Sequence, residues 1–359
     1  MSVLLGVFLH FIGGFASGSF YIPYKKVKGW SWESYWLAGG IFSWVIAPIV
    51  ACYILVPDFW SIISGVPSET IFWTYFMGVL WGIGGLTFGL SMRYLGLSLG
   101  MAITLGYCAA FGTLIPPIYN DFTGNVGTGE TTFTALLSST SGNIILLGVL
   151  VCLIGIGICG IAGVMKEKEL PDEKKKETIK EFNLKKGILV ATFSGILSAC
   201  FSFGLTAGKP IAAAALATGI DSLWQNNATL VVILLGGLTT NLIWCVILNV
   251  KNKSYKDYTN TQTPLARNYL FCALAGTAWY LQFFFYGMGS SKMGKYDFSS
   301  WTFHMAFIII VSNLWGFYFK EWQGSSQRTL RMIFIGISVV ILSTLIVGFA
   351  NYLAATNSF

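Results

Sequence analysis

The segment Asn143–Val164 reads NIILLGVLVCLIGIGICGIAGV and contains no charged residue, and Lys166 follows it within two positions. A helix needs about 20 mostly apolar residues to cross about 30 Å of hydrocarbon. The apolar residues do not alternate strictly with polar ones, as they would in a strand of a membrane barrel. The segment therefore predicts one membrane-spanning helix.

The same pattern recurs along the whole chain, whose 359 residues are 55% hydrophobic and only 10% charged. Soluble proteins carry about 25% charged residues, so this composition excludes a soluble enzyme, a disordered protein and a nucleic-acid binder. An all-α integral membrane protein is predicted, with ten transmembrane helices at 3–22, 35–56, 70–91, 97–118, 143–164, 187–208, 227–249, 267–288, 299–319 and 329–352.

The basic residues are distributed unevenly between the loops. Of the 22 Lys and Arg residues, 19 lie in loops that follow odd-numbered spans and 3 lie in the other loops. The segment 165–186 is the most highly charged of these loops. Because cytoplasmic loops are enriched in Lys and Arg, we expect the linker 165–186 to be cytoplasmic and both termini to lie outside.

Glycine spacings recur between the two halves of the chain. Gly14 of the first span corresponds to Gly195 of the sixth, and Gly78 of the third span corresponds to Gly276 of the eighth. Two halves of five helices have opposite topologies because five is odd, and such inverted repeats place a transporter's substrate site between them. Alternatively, the glycines serve only close helix packing. The predicted units are a first five-helix membrane half, 1–164, a charged linker, 165–186, and a second five-helix half, 187–359.

A polar stripe begins the ninth span. Asp297, Trp301 and His304 are spaced i, i+4 and i+7, and this spacing places them on one helical face. Ionisable groups inside a membrane span are costly and are usually paired or functional. We predict that Asp297 carries a proton during a transport cycle. The alternative is that Asp297 only caps the helix, since acids are favoured at helix N-termini.

The eighth span contains the aromatic run WYLQFFFY at 279–286. Gln282 and Tyr286 are four residues apart and Trp279 precedes Gln282 by three, so one face presents an indole, an amide and a phenol. Amides and phenols hydrogen-bond hydroxyl groups, and this combination suits a sugar. The alternative is aromatic packing against lipid.

Several further residues are candidates for the same sites. His304, His10 and Glu33 are predicted as additional proton-coupling groups, and a neutral histidine that hydrogen-bonds between helices is the alternative for either histidine. Lys209 is one of few basic groups on the outer side and is expected to pair with Asp221 or Asp297. The predicted substrate-binding residues are Trp279, Tyr280, Gln282, Tyr286, Trp301, Trp81, Asn241 and Lys209.

Enzyme and metal signatures are absent from the sequence. With two histidines the chain has neither an HExxH motif nor a His-rich metal set, and no Gly-rich phosphate loop occurs. Its seven cysteines lie in apolar runs without CxxC spacing, which is typical of small buried hydrophobic residues. We therefore expect no cofactor, no metal and no enzymatic activity.

The motifs resemble those of the L-rhamnose–proton symporters within the drug/metabolite transporter superfamily. The resemblance covers nearly the whole chain and includes KKVKGWSWE at 25–33, WGIG at 81–84, MRYLG at 92–96, EFNLKKG at 181–187, Lys209-Pro210 and WYLQFFFY at 279–286. It implies ten helices and proton-driven uptake of a 6-deoxyhexose across a bacterial inner membrane. Gly85 and Thr87 depart from the family, which carries asparagines after the WGIG motif.

The sequence thus predicts a proton–sugar symporter that works by alternating access, with a small sugar, protons and the lipid bilayer as its partners. A carrier for another sugar or small metabolite is the alternative within transport. A non-transporting membrane sensor is the alternative outside it, although a sensor would need a soluble output domain for which these loops leave no room.

Overall fold

The computed structural model describes residues 2–95, 97–123, 131–169, 183–320 and 322–356, and all regular structure within them is helical. Long apolar runs form helices because a helix satisfies its backbone hydrogen bonds internally. Ten long helices are described: α1 Ser2–Ser19, α2 Trp32–Leu55, α3 Ser68–Leu95, α4 Leu97–Phe122, α5 Thr140–Glu169, α6 Leu184–Ala207, α7 Asn227–Asn252, α8 Leu265–Ser290, α9 Ser300–Tyr318 and α10 Gln327–Thr356.

Nine of the helices in the described residues are long and apolar enough to cross a membrane. They coincide with nine of the ten predicted spans. The other prediction, 97–118, falls on α4, which is a helix of 26 residues but is not among the nine. The all-helical, multi-pass architecture is confirmed, and the count of ten spans stays a prediction.

The helices present large apolar side chains outward. Leu4, Tyr53 and Ile54 each expose 74% of their surface, and Leu189 exposes 71%. In water such an apolar surface would favour aggregation or association, whereas in a bilayer it faces lipid. Polar side chains lie inside instead, as with His10, which is completely buried.

Contacts between helix ends define two faces of the bundle. We call the face where α1 begins and α10 ends the terminal face. There Asn351 of α10 donates to Ser299, directly before α9, at 3.0 Å. We call the face where α5 ends and α6 begins the linker face. There Glu169 of α5 accepts hydrogen bonds from the Ser326 and Thr329 hydroxyls at 2.6 Å each. Of the predicted linker, residues 170–182 lie outside the described residues.

Glycines allow the closest helix crossings. A Cβ at Gly78 of α3 would collide with the backbone of Ile233 in α7, and one at Gly276 of α8 would collide with the backbone of Gly39 in α2. Gly14 of α1 packs against Phe307 of α9 in the same way. Small residues at these positions let the backbones approach, which is the usual basis of helix association in membranes.

Candidate functional site

A cavity of about 310 Å³ lies at the terminal face of the bundle. This volume is at the lower end of the range for small-molecule sites. The ends of α4, α6 and α8, the short helix Lys209–Ala217 and the 3₁₀ turn Gly294–Ser299 surround it. Its polar lining comprises Asn120, Thr131, Ser202, Thr206, Lys209, Gln225, Asn226, Tyr286, Ser290, Ser291 and Asp297.

An ion pair lies in the wall of this cavity. Lys209 Nζ is 3.6 Å from Asp297 Oδ2, and the two side chains are 40% and 38% exposed. Local backbone geometry brings them together. Gly208 ends α6 and Lys209 starts a new helix there, while Gly294 turns the chain before Asp297 with a φ of +63° that favours glycine. Of the two predicted partners of Lys209, the structure shows Asp297.

The position of Asp297 bears on the capping alternative. The N-cap of α9 is Ser299, so Asp297 lies two residues before the cap, within the 3₁₀ turn. Its carboxylate faces the cavity and Lys209. A half-exposed carboxylate beside a cation, at a cavity wall, can exchange a proton with water in that cavity.

Two buried histidines flank Tyr286 behind the cavity wall. The Tyr286 ring lies 5.4 Å from the His10 ring and 5.3 Å from the His304 ring, centroid to centroid. Among the described residues, neither nitrogen of His10 nor Nδ1 of His304 has a hydrogen-bond partner. Gly289 provides the space for His10, because a Cβ there would lie 2.8 Å from the imidazole. Unpaired buried polar groups are costly, so this cluster is a functional candidate.

Trp301 joins the same cluster. Its ring lies 5.6 Å from that of Tyr286 and 5.8 Å from that of His304. Its Nε1 donates to the Cys108 carbonyl of α4 at 2.9 Å, and Gly112 of α4 leaves room for the indole. The structure therefore brings Tyr286, Trp301, His304 and His10 together behind the cavity wall that contains Asp297. The polar stripe predicted a shared helical face only for Asp297, Trp301 and His304.

An aromatic layer lies between this cavity and the linker face. Phe201 of α6 stacks on Phe283 of α8 at 4.2 Å, and Trp81 of α3 packs edge-on against both, at 5.1 and 5.4 Å. Phe201 is completely buried. Trp81, predicted to contact substrate, is thus part of the layer beneath the cavity.

Other predicted substrate residues lie on the far side of this layer or within it. Trp279 contacts Phe20 at 4.2 Å on the linker side. Asn241 accepts a hydrogen bond from the Trp36 indole at 3.0 Å and donates to the Gly237 carbonyl at 2.8 Å. Those two bonds are what a helix-packing amide would make.

Two predicted residues on α8 are buried without reaching the lining of the cavity. The Tyr280 hydroxyl donates to Asn227 Oδ1 at 3.4 Å, toward the start of α7. Gln282 is 2% exposed, and its Nε2 finds no partner in the described part of the chain. Gln282 lies one turn below Tyr286 and stays a prediction as a substrate contact.

Glu33 lies at the linker face, remote from Asp297. Its Oε1 accepts hydrogen bonds from Asn252 at 2.8 Å and Ser254 at 2.6 Å. Nearby, Asp257 accepts from the backbone and hydroxyl groups of the same turn, at Ser31 and Ser34. These hydrogen bonds join the start of α2 to the end of α7. The Glu33 carboxylate therefore has structural hydrogen-bond partners at this face.

Sequence reasoning missed several polar residues of the cavity. Ser202 and Thr206 are spaced i, i+4 at the end of α6, and the Ser202 hydroxyl donates to the Gly112 carbonyl at 2.9 Å. Asn226 donates to the Gly287 carbonyl at 2.9 Å. The signal for the first two was present in the sequence, as two hydroxyl residues one turn apart directly before Lys209-Pro210.

Metal ligands do not cluster in the described residues, where no group of three or more His, Cys, Asp or Glu side chains is placed to hold a metal ion.

Long apolar helices around a polar cavity of solute size define a multi-pass membrane protein of the transporter class. Residues 1–353 match the family described as L-rhamnose-proton symport protein (RhaT). The chain belongs to this family, whose members are transporters and not enzymes.

Similar proteins cover the chain almost completely. A protein of Citrobacter koseri named L-rhamnose-proton symporter is 41% identical over 351 residues, which is 97% of this chain and 98% of that protein. A protein of Yersinia pestis with the same name is 40% identical over 351 residues, with the same shares of both chains.

Proposed function

We propose that this protein is a secondary active transporter that couples proton entry to uptake of a 6-deoxyhexose, L-rhamnose or a close relative. Membership of the symport family and the names of its relatives support the substrate and the coupling ion. The observation that carries the mechanism is the Lys209–Asp297 ion pair in the wall of a cavity lined by hydroxyl and amide groups.

The coupling follows from competition between Asp297 and the sugar for the Lys209 ammonium. While Asp297 is ionised, Lys209 compensates its charge in the water-accessible cavity. A proton from the terminal side converts the carboxylate to a neutral acid and releases the Lys209 ammonium to donate to a sugar hydroxyl. Because Lys209 donates either to the carboxylate or to the sugar, the sugar binds more tightly to the protonated site than to the ionised one, and the site closes with proton and sugar bound together. Opening at the linker face then returns proton and sugar together.

The histidines and Tyr286 would hold the site in place. Tyr286 lines the cavity and contacts both buried imidazoles. We assign His304 and His10 as polar relays, since their unpaired nitrogens can accept or donate a hydrogen bond when the packing around Tyr286 changes. Glu33 is a weaker candidate for proton coupling because its carboxylate is held at the linker face.

We further propose that the halves 1–164 and 187–359 form an inverted repeat. Supporting contacts come in matched pairs. The crossing of α3 and α7 at Gly78 corresponds to the crossing of α8 and α2 at Gly276, and the α1–α9 contact at Gly14 corresponds to the α6–α4 contact at Gly195. Alternating access then corresponds to an exchange of the two packing arrangements between halves.

The proposed topology is that of a ten-span protein of the bacterial inner membrane, with the termini outside and the linker in the cytoplasm. The bias of basic residues supports this orientation. α4 supports the tenth span, since 26 helical residues at about 1.5 Å each exceed a hydrocarbon core of about 30 Å. In this orientation the cavity faces the external medium.

The test is uptake of labelled L-rhamnose into proteoliposomes with an imposed pH gradient, acid on the side of the terminal face. We expect accumulation above the external concentration, and a protonophore should reduce it to equilibration. Equal accumulation with and without the gradient would remove proton coupling, and accumulation of a different labelled sugar without accumulation of L-rhamnose would move the proposal to a different substrate.

A further inference from the structure

Helix α2 contains a local change of helical geometry. Residues Phe42–Ile46 form a π turn, in which the Ala47 N–H bonds the Phe42 carbonyl five residues earlier. Pro48 contributes to this distortion because proline has no N–H to donate to the preceding turn. Single π turns are rare and occur frequently at functional sites. By contrast, α7 is continuous α-helix over Asn227–Asn252.

The π turn places two side chains at a small cavity. This cavity has a volume of about 10 Å³ and lies on the linker side of the aromatic layer, where Ser43, Trp44, Trp36, Trp279 and Phe20 are among its lining residues. Ser43 is 1% exposed and Trp44 is 2% exposed. The turn thus inserts a hydroxyl and an indole into the protein interior.

Three polar atoms of this lining have no partner in the described chain: Ser43 Oγ, Trp44 Nε1 and Trp279 Nε1. A buried donor without an acceptor is destabilising, and three around one small space call for a ligand in some state of the protein. Their neighbour Trp36 differs, since its indole donates to Asn241 at 3.0 Å.

The cavity is narrowed by contacts between elements that alternating access would separate. Phe20, which follows α1, contacts Trp279 of α8 at 4.2 Å. Trp36 of α2 lies 6.5 Å from Trp279 and 6.3 Å from Trp44, centroid to centroid. Gly40 leaves the space that the Trp44 ring fills, and Gly276 lets α8 approach α2. Separation of these rings would turn the small space into a larger one.

Once the rings separate, two indole N–H groups, a hydroxyl and apolar ring faces would together suit a polyhydroxylated ring. Hydroxyl groups of a sugar accept from indole and donate to or accept from serine, while the apolar face of the sugar lies against an aromatic ring. We propose that Ser43, Trp44 and Trp279 form a second sugar-binding subsite, which opens when the linker face opens and holds the sugar before its release. This inference rests on the proposed transport of a sugar.

The experiment measures sugar affinity separately from the two membrane sides. Right-side-out and inside-out vesicles present the terminal and linker faces, and the concentration of L-rhamnose giving half-maximal counterflow is determined in each. Trp44→Phe keeps an aromatic side chain but replaces the indole by a smaller phenyl ring without an N–H, and Ser43→Ala removes the hydroxyl. Each is expected to raise the half-maximal concentration at the linker face about fivefold to tenfold, as for one lost hydrogen bond, with no change at the terminal face.

Trp30→Phe is the matched control. The Trp30 indole N–H is also buried without a partner in the described residues, but Trp30 packs against Tyr258 and Tyr269 at 5.7 and 5.0 Å and does not line the small cavity. It should leave both affinities unchanged. Counterflow by the wild-type protein distinguishes failure of the subsite from failure of the proposed function. If the wild-type protein does not exchange L-rhamnose, the proposed function is wrong.

If wild-type protein exchanges the sugar but Trp44→Phe and Ser43→Ala leave the linker-face affinity unchanged, the subsite is wrong. An equal change at both faces would overturn it too. A space of about 10 Å³ also has room for about one water molecule. If the variants lower only the thermal unfolding midpoint and leave affinity at the linker face intact, the polar atoms hold a structural water and the subsite is likewise overturned.

Discussion

Lys209 and Asp297 face each other across 3.6 Å, Nζ to Oδ2, although 87 intervening residues separate them in the chain. The pair lies at the terminal face, in the wall of a cavity lined largely by uncharged polar groups. A carboxylate there can be neutralised either by its cation or by a proton. Binding of a proton and liberation of the cation are therefore linked, and this linkage is the basis of the proposed symport.

Replacing Asp297 by asparagine should uncouple transport. Asp297→Asn keeps the shape of the side chain and mimics the neutral form, so the cavity can bind and exchange sugar without taking up a proton. We expect L-rhamnose accumulation against a gradient to fall to equilibration, while counterflow exchange persists. Uptake and counterflow in the same proteoliposomes measure both.

Asp221→Asn is the control for that variant. Asp221 is an acid on the same face, where its side chain accepts from the Leu223 N–H at 2.8 Å and lies outside the described cavity lining. It should accumulate sugar like wild-type protein. Accumulation by Asp297→Asn equal to that of Asp221→Asn would remove Asp297 from the coupling mechanism.

The ion pair should also be detectable as an energetic coupling. In a double-mutant cycle of Lys209→Gln and Asp297→Asn, unfolding free energies should be non-additive by about 0.5 kcal/mol, since half-exposed pairs contribute about 0.2–1 kcal/mol. Lys292→Gln is the matched control, because Lys292 donates to the Ser222 hydroxyl at 2.9 Å. The effects of Lys292→Gln and Asp297→Asn on the unfolding free energy should be additive. If the effects of Lys209→Gln and Asp297→Asn are equally additive, Lys209 and Asp297 do not interact directly.

Gly289 should be intolerant of a side chain. In Gly289→Ala the new methyl group would meet the buried His10 ring, and overpacking of this kind costs about 1–3 kcal/mol. We expect a lower thermal midpoint and weaker uptake, because the displaced imidazole moves against Tyr286. Gly157→Ala in α5 is the comparison, since nothing lies within 4 Å of its added Cβ. Equal midpoints for the two variants would show that the His10 cluster is loosely packed.

The orientation can be tested with single introduced cysteines. Thr218→Cys is exposed near the terminal face and Lys256→Cys is exposed at the linker face. Of the seven native cysteines, six are buried and Cys159 is half-buried, so wild-type protein sets a low background. A membrane-impermeant thiol reagent added to intact cells should label Thr218→Cys and spare Lys256→Cys. The reverse labelling would invert the topology.

Helix positions followed closely from the sequence because the length of an apolar run is a local property. The predicted span 143–164 lies within α5, Thr140–Glu169, and the extra residues are a polar start and a charged end that an apolar criterion omits. The pairing of Lys209 was also accessible, since few charges occur at the terminal face.

The layout of the site was less accessible to sequence reasoning. Trp279 and Tyr286 share one helical face, as the spacing predicts, but their offset of seven positions places them about 10 Å apart along the axis. The Phe201–Phe283 stack lies between their levels, so they line different cavities. The level of this stack along α8 depends on which side chains of α6 contact α8. Such a contact between distant segments of the chain cannot be recognised from the local sequence.

The π turn at Phe42–Ile46 was equally hidden. Pro48 was visible, but membrane helices tolerate proline in several ways. The turn adopted here depends on how Trp44 packs over Gly40. The sequence therefore located the helices and the chemistry, and tertiary packing determined which groups share a cavity.

The most direct test of proton–sugar symport is the proton movement that sugar alone drives. L-rhamnose is added to de-energised cells or proteoliposomes in weakly buffered medium, with no imposed gradient, and external pH is recorded. The account predicts prompt alkalinisation of the medium, abolished by Asp297→Asn and retained by Asp221→Asn. Entry of labelled L-rhamnose without any accompanying change in external pH would contradict it.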